Sequence, residues 1–402
     1  MHLNSAHEKL LRGEGGNARQ LAMEILTKVG DAVGAESLVP IKSAHVQADY
    51  SGLHDSGIEL YERFAASDGK FSVPTTVNPA SIDLDGWESF GVPAEFARKQ
   101  IRLCEAYYRL GGIQCWTCVP YQVCNFPKAG EMVAWAESSS VVFANSIIGC
   151  RTNKAMAGLD LASAILGLTP KFGMLLEEER VARVAFVASP GRFSDLDYRS
   201  LGYLIGKNAG SKVPALDGTP KDATSDDLKH LGAAAASAGP ITMIHYVGVT
   251  IGSSSLEKAA GGEEIERIDV SRSDLKAIED ELNQTEETPD LVALGAPHLS
   301  VSELGAVAKL LEGRKVKRGI KLCAYTSNQA FEMATRAGIR ADIEAAGGTL
   351  SRGTDADVSP LGNMGFRVVL TNSALLAETL LADGTVKVKY SSLRDIIGEV
   401  SV

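Results

Sequence analysis

Helix and strand signals alternate along the whole chain, and that alternation narrows the fold more than any other feature. Short apolar runs rich in branched residues recur: "VARVAFVAS", "ITMIHYV", "DLVALG", "IKLCAY" and "FRVVLTN". A strand with one wet face alternates apolar and polar positions, so runs of this kind belong to strands covered on both faces. Amphipathic segments separate them. "NARQLAMEILTKVGDAVG" repeats apolar residues at helical spacing and stops at Gly34, and "PAEFARKQIRLCEAYYRLGG" opens on Pro93 and closes on a glycine pair. "SLVPI" and "KFSV" are extended, with polar tips "KSAHV" and "PTTVN". Ser225 and Ser273 stand where helix N-caps belong, and Ser300 with Glu303 has capping-box spacing. The pattern predicts an α/β chain of packed domains with mostly parallel sheets.

At 402 residues the chain has room for more than one such domain. Two looser stretches, 207–227 and 251–264, are candidate boundaries or site loops, and no internal repeat is evident. Forty Lys and Arg against fifty Asp and Glu give a net charge of −10 with no basic tract, which argues against nucleic acid and anionic membranes as partners. No apolar run has signal-peptide or membrane-spanning character, so the expected location is the cytoplasm. Six cysteines are too sparse for a disulfide framework and are expected as thiols.

In open α/β sheets ligands bind beyond the carboxyl ends of strands. The residues expected there are Ser43 and His45; Thr75, Thr76 and Asn78; Trp116 and Cys118; Asn145 and Ser146; His245 and Thr250; His298; Thr326 and Ser327; Asn372 and Ser373. Nearly all carry short hydrogen-bonding groups. As a set they suit a small polyoxygenated anion; singly, each suits a helix cap. His45 and His298 follow strands directly and are the histidine candidates, whereas His54 and His230 read as surface residues. No two histidines lie at i, i+4, and no "GxSxG" elbow is present.

Three cysteines fall within "IQCWTCVPYQVC". Cys115 and Cys118 form a CxxC, but the segment is expected to end a strand and run into proline, unlike a redox motif that opens a helix. A structural zinc site would want a second cysteine pair. Three thiolates could hold an iron–sulfur cluster, and a buried strand with small thiols is the plain alternative.

The motifs "SAHVQADYSGL", "VPTTVNPASID", "CWTCVPY", "GEMVAWAESSSVVFANSIIGCRTN", "VGVT", "GAPHLSVSEL" and "TNS" resemble the aconitase X family, in the family's order. The resemblance covers residues 1–402 as the family's large catalytic region, and implies the packed α/β domains of the aconitase superfamily. It implies a lyase eliminating water from a small hydroxy acid, such as a hydroxyproline- or mevalonate phosphate-like carboxylate. It also implies a small swivelling-domain subunit as partner, supplying a serine base. Family members hold an iron–sulfur cluster through cysteines in motifs like "WTCxPY", "GCPH" and "DTC". Here Cys118 matches the first, while Ala296 and Asp355 stand at the other two. The ligand set is therefore incomplete, with Cys115 or Cys124 as substitute ligands. The expectation is no cofactor, or a mononuclear metal on Asp355, with His45, His298, Asp355 and Cys118 as catalytic candidates. Ser43, Thr75, Thr76, Asn78, Asn145, Ser146, Thr326, Ser327, Asn372 and Ser373 are the substrate-binding candidates. Recruitment to isomerisation or cyclisation, or to a non-catalytic binding role, are the alternatives.

Overall fold

The computed structural model describes residues 1–156, 158–188 and 191–402; Ser189, the end of "VARVAFVAS", lies outside them. The first third holds β1 (Leu38–Pro40), β2 (Ala44–Val46), β3 (Thr75–Val77), β4 (Ala134–Trp135) and β5 (Leu168–Pro170). A parallel sheet runs in the order β3-β2-β4, and β1 pairs antiparallel with β5. The middle holds β6 (Val184–Ala188), β7 (Pro214–Asp217), β8 (His245–Tyr246) and β9 (Glu266–Val270), all parallel in the order β8-β7-β6-β9. The last third holds β10 (Leu291–Leu294), β11 (Lys321–Thr326), β12 (Gly348–Arg352), β13 (Val368–Thr371) and β14 (Lys387–Tyr390). These run parallel as β12-β11-β10-β13-β14. The α/β reading with mostly parallel sheets is correct. Every residue of β10 is buried, as its unbroken apolar sequence requires.

Local chemistry places the helices. Helix Val301–Leu311 starts at Ser300, whose hydroxyl accepts the Glu303 N–H while Glu303 returns a carboxylate to the Ser300 N–H. It buries Leu304, Val307, Ala308 and Leu311, one stripe at helical spacing. Two other caps differ from expectation. Thr224 and Ser271, not Ser225 and Ser273, are the N-caps, because only they have an aspartate three residues on, Asp227 and Asp274, to close the reciprocal box. "KFSV" forms no strand: the Phe71 N–H goes to the Leu110 carbonyl and the Ser72 N–H to that of Ala164, leaving no ladder. Of "ITMIHYV", only His245 and Tyr246 pair.

Helices Asp195–Ala209 and Ser225–Ala238 pack backbone against backbone. A Cβ on Gly202 would sit 2.1 Å from the Leu231 carbonyl oxygen, so no other residue permits this approach. One apolar cluster then runs from Phe186, Leu201 and Leu231 through Ala293 and Val369 to Leu376, uniting the middle and last units. The first unit closes on its own cluster of Met23, Leu26, Phe64, Leu103, Tyr107 and Ile165. His230, expected at the surface, is 5% exposed, because the helix carrying it is covered by both neighbours. Its Nε2 meets Glu303, which also pairs with the buried Lys229.

Candidate active site

Three chain segments from two units meet at one point. After β10 the chain turns through Gly295, Ala296 and Pro297 to His298. Gly295 has φ 122°, and a Cβ there would lie 2.9 Å from both Tyr325 Cβ and its carbonyl oxygen, so only glycine lets the turn rest on β11. After β12 the chain passes Gly353 and Thr354 to Asp355. From the first unit comes the cysteine-rich loop. It is not a strand end as expected: it lies along β3, its backbone bonding that strand's through the Ile113 N–H to the Thr75 carbonyl (2.9 Å) and the Thr117 N–H to that of Val77 (3.0 Å). Trp116, at φ 41°, breaks any ladder, and Cys118 precedes the short helix Pro120–Val123.

Cys118 Sγ, a ring nitrogen of His298 and a carboxyl oxygen of Asp355 lie within 4.8 Å of one another, all buried. The His298 backbone N–H donates to Cys118 Sγ (3.1 Å), and the thiol donates to Asp355 Oδ2 (3.4 Å). His298 Nε2 is 2.7 Å from the Thr354 carbonyl and Nδ1 is 3.2 Å from Thr117 Oγ1. A carbonyl only accepts, so Nε2 carries the proton and Nδ1 takes the threonine hydrogen. Behind the ring, Lys229 Nζ donates to the His298 carbonyl (3.1 Å).

Burial dominates the electrostatics. It holds the His298 imidazole down at about 4 and the Cys118 thiol well above its ordinary value. It raises the Asp355 carboxyl to about 7, with the charge of Glu137 adding to the rise. The thiol thus keeps its proton near neutral pH, while the carboxyl exchanges its own there.

A cleft of about 450 Å³ opens on Cys118, lined among others by Gln47, Asp49, Asn78, Glu137, Lys154 and Asp357. Asp49 and Glu137 cap the helices that follow β2 and β4, accepting the Gly52 and Ser139 N–H groups. Burial raises both carboxyls, and raises Asp357 further because Asp355, Glu137 and Asp49 all face it. Sequence reasoning missed Asp49, Glu137 and Asp357. The signal was present: the first two stand two or three residues past a strand end, and Asp357 two past Asp355.

Of the expected tip residues, the structure brings Asn78 and Cys118 to the cleft wall. His45 lies beneath, with Nδ1 2.8 Å from Thr76 Oγ1, Nε2 buried without a hydrogen-bond partner, and its pKa pushed by burial to about 3. The others are spent on the fold. Ser43 donates to Asn125, Thr75 to the Val73 carbonyl, and Thr326 to the Leu299 carbonyl. Asn145 bonds Thr152, Thr242 and Arg180, and Ser146 accepts the Ile244 N–H. Ser327 and Ser373 are N-caps, the latter also donating to the Ala296 carbonyl. Asn372 lines a separate cavity beside Arg199 and His230. His245 is held between Ser253 and the Arg180 carbonyl.

The donor set does not fit an iron–sulfur cluster. Among the described residues one thiol reaches the site, Ala296 offers no ligand, and Cys115 and Cys124 do not come to it. Cys115 instead bonds the Val77 backbone and faces Cys124. Cys118, His298 and Asp355 do fit a single ion in number and donor type, provided the thiol, the carboxyl and Nε2 give up their protons.

Strand ends from separate α/β units, converging on buried acid, thiol and imidazole groups beside a cleft, define an α/β enzyme rather than a scaffold or a nucleic-acid module. The chain belongs to the aconitase X family: residues 1–178 match the aconitase X first domain, 179–280 the second and 289–401 the third. It is 35% identical to the phosphomevalonate dehydratase large subunit of Methanocaldococcus jannaschii, covering 99% of each chain. It is 37% identical to the cis-3-hydroxy-L-proline dehydratase of Pseudomonas aeruginosa over 93% of this chain and 66% of that one. The crystal structure of Thermococcus kodakaraensis aconitase X in its holo form superposes with a TM-score of 0.92 at 36% identity, covering both chains fully. Among the described residues no helix is long and apolar enough to cross a membrane.

Proposed function

We propose that residues 1–402 form the large catalytic region of a dehydratase that removes water from a small hydroxy acid. The observation that carries this reading is a carboxyl group, Asp355, buried against Cys118 and raised to about 7, with Cys118 itself lining an acid-lined cleft. Elimination breaks the C–H bond next to the carboxylate, turns its electron pair into the C=C bond, and expels the hydroxyl, which must leave as water. A protonated carboxyl supplies that hydrogen. Asp355, with Asp357 beside it in the cleft, fills the acid role. Cys118 lines the pocket as a neutral thiol, and His298, locked by Thr117 and Thr354, fixes Cys118 through its backbone N–H. Asn78 holds the substrate, and His45 Nε2 stands below as a second acceptor. If an ion binds Cys118, His298 and Asp355, it would supply Lewis acidity at the leaving hydroxyl.

The base is proposed to come from a small swivelling-domain subunit, in keeping with relatives named as large subunits. The six free thiols are in keeping with a cytoplasmic setting. The test is dehydration of a panel of 3-hydroxy acids, hydroxyproline and phosphomevalonate types included, by the chain with and without a co-expressed small partner. Turnover by the pair and little by the chain alone is expected. Full turnover by the isolated chain would sink the partner, and no dehydration of any hydroxy acid by the pair would sink the reading.

A further inference from the structure

A second cavity, of about 220 Å³, opens at the carboxyl ends of β10 and β13, where Leu294 and Asn372 line it. The strand order β12-β11-β10-β13-β14 reverses between those two strands, and such switch points leave the crevices in which α/β sheets take ligands. None of its described lining residues is shared with the cleft beside Cys118.

Five helices start at this cavity: Asp195–Ala209, Ser225–Ala238, Val301–Leu311, Ala374–Asp383 and Leu393–Val400. The lining carboxylates, Asp195, Asp226, Asp227 and Glu303, stand in first turns, and the buried Lys229 pairs with Asp226 (3.0 Å) and with Glu303. At about half a positive charge per N-terminus, the helix ends and Lys229 come close to offsetting those acids, and Arg199 then tips the balance positive. Arg199 lines the cavity and is 5% exposed. Its one hydrogen bond runs from Nη1 to the Asp195 carbonyl (2.6 Å), with the Asp195 carboxylate 3.6 Å from the same nitrogen. Nε is buried without a partner. The Asn372 side chain, 4% exposed, makes no hydrogen bond among the described residues. Leu294, Leu299, Val307 and Leu393 make another part of the wall aliphatic. A guanidinium with an open edge pairs with a carboxylate through parallel N–H bonds. A phosphate would set polar oxygens against the leucines. At about 30 Å³ per water-sized group, the cavity takes about seven non-hydrogen atoms.

We infer that this cavity is a second ligand site, for a short aliphatic monocarboxylate. The open edge of Arg199 and the Asn372 amide hold the carboxylate, and the leucines cover the chain. The site is separate from the cleft, so it stands or falls apart from the dehydratase reading.

Titration calorimetry on the full chain tests this with 3-methylbutanoate, its isosteric amide 3-methylbutanamide, and inorganic phosphate. A hydrogen bond between charged partners is worth about 10-fold or more in affinity, so the carboxylate should bind at least about 10-fold tighter than the amide. Phosphate should bind more weakly than the carboxylate. Two variants locate the site. Arg199→Met should bring carboxylate and amide close to equal affinity, and it leaves the 39% exposed Asp195 side chain to water. Ala306→Phe, at an exposed helix position on the cavity wall, should abolish binding of both. Absence of carboxylate binding, equal or tighter binding of the amide or phosphate, or binding unchanged in either folded variant would each overturn the inference. If Arg199→Met does not fold, Ala306→Phe and the wild-type ranking decide.

Discussion

Replacing Asp355 by Asn separates the chemistry of the acid from its effect on stability. The amide keeps an oxygen for the Ala356 N–H, which Asp355 Oδ1 accepts at 2.8 Å, and it fills the same volume beside Cys118. The native carboxyl moves from 3.8 in the open chain to about 7 when folded. A raised carboxyl binds its proton more tightly in the folded state, so its contribution is fully present below pH 3.8 and is lost as pH rises through 7. A shift of that size corresponds to about 4 kcal/mol in all, of which about 2.5 kcal/mol disappears between pH 5 and pH 8. The variant has no such proton to lose. Urea unfolding of both proteins at pH 5, 6, 7 and 8 should show the variant gaining on the wild type by about 2.5 kcal/mol as pH rises across that window. Its dehydration rate should fall by about 10²- to 10⁴-fold, and the wild-type rate should decline above pH 7 as the acid ionises. Parallel stability curves, or an active variant, would refute the assignment of Asp355 as a buried acid.

Lys229→Met should destabilise the fold by about 3–5 kcal/mol, because it strands the Glu303 charge; adding Glu303→Gln should recover much of that loss in the same unfolding assay. His298 should stay neutral throughout the physiological range, since burial holds it at about 4, so ring carbon shifts followed by NMR should show no titration near 6.5. Protein purified without oxygen should lack cluster absorbance and acid-labile sulfide, with at most one ion per chain. Cys118→Ser should then cost less activity than Asp355→Asn, and stoichiometric sulfide would reverse that assignment.

Much of the architecture was legible because its causes are local. Unbroken apolar runs made β10, β11 and β13 readable as doubly covered strands, and Ser300 with Glu303 marked a helix start through bonds spanning one turn. Where a local rule was read one or two residues off, as at Ser225 and Ser273, the aspartate that completes the cap settled the position. The short hydroxyl and amide groups at strand ends misdirected the site reading for a related reason. A serine that caps a helix and one that holds a ligand have the same sequence signature, and which bond forms depends on the partner at hand. Ser373 and Ser327 found backbone N–H groups; Asn78 kept an oxygen unpaired.

Sequence alone determined the class of fold and the family, and it set Ala296 and Asp355 at the two positions where the resemblance implies thiols, since each is written in residue identity. Tertiary structure decided what replaced them. Only packing brings Cys118 from the first unit to His298 and Asp355 in the last, 180 and 237 residues away along the chain. Only burial turns Asp355 from an ordinary carboxylate into an acid poised at about 7. The same enclosure buries His230 and Lys229 against Glu303 and gathers Asp49, Glu137 and Asp357 on one wall. Proximity and dielectric are properties of the assembled volume, and a linear pattern does not carry them.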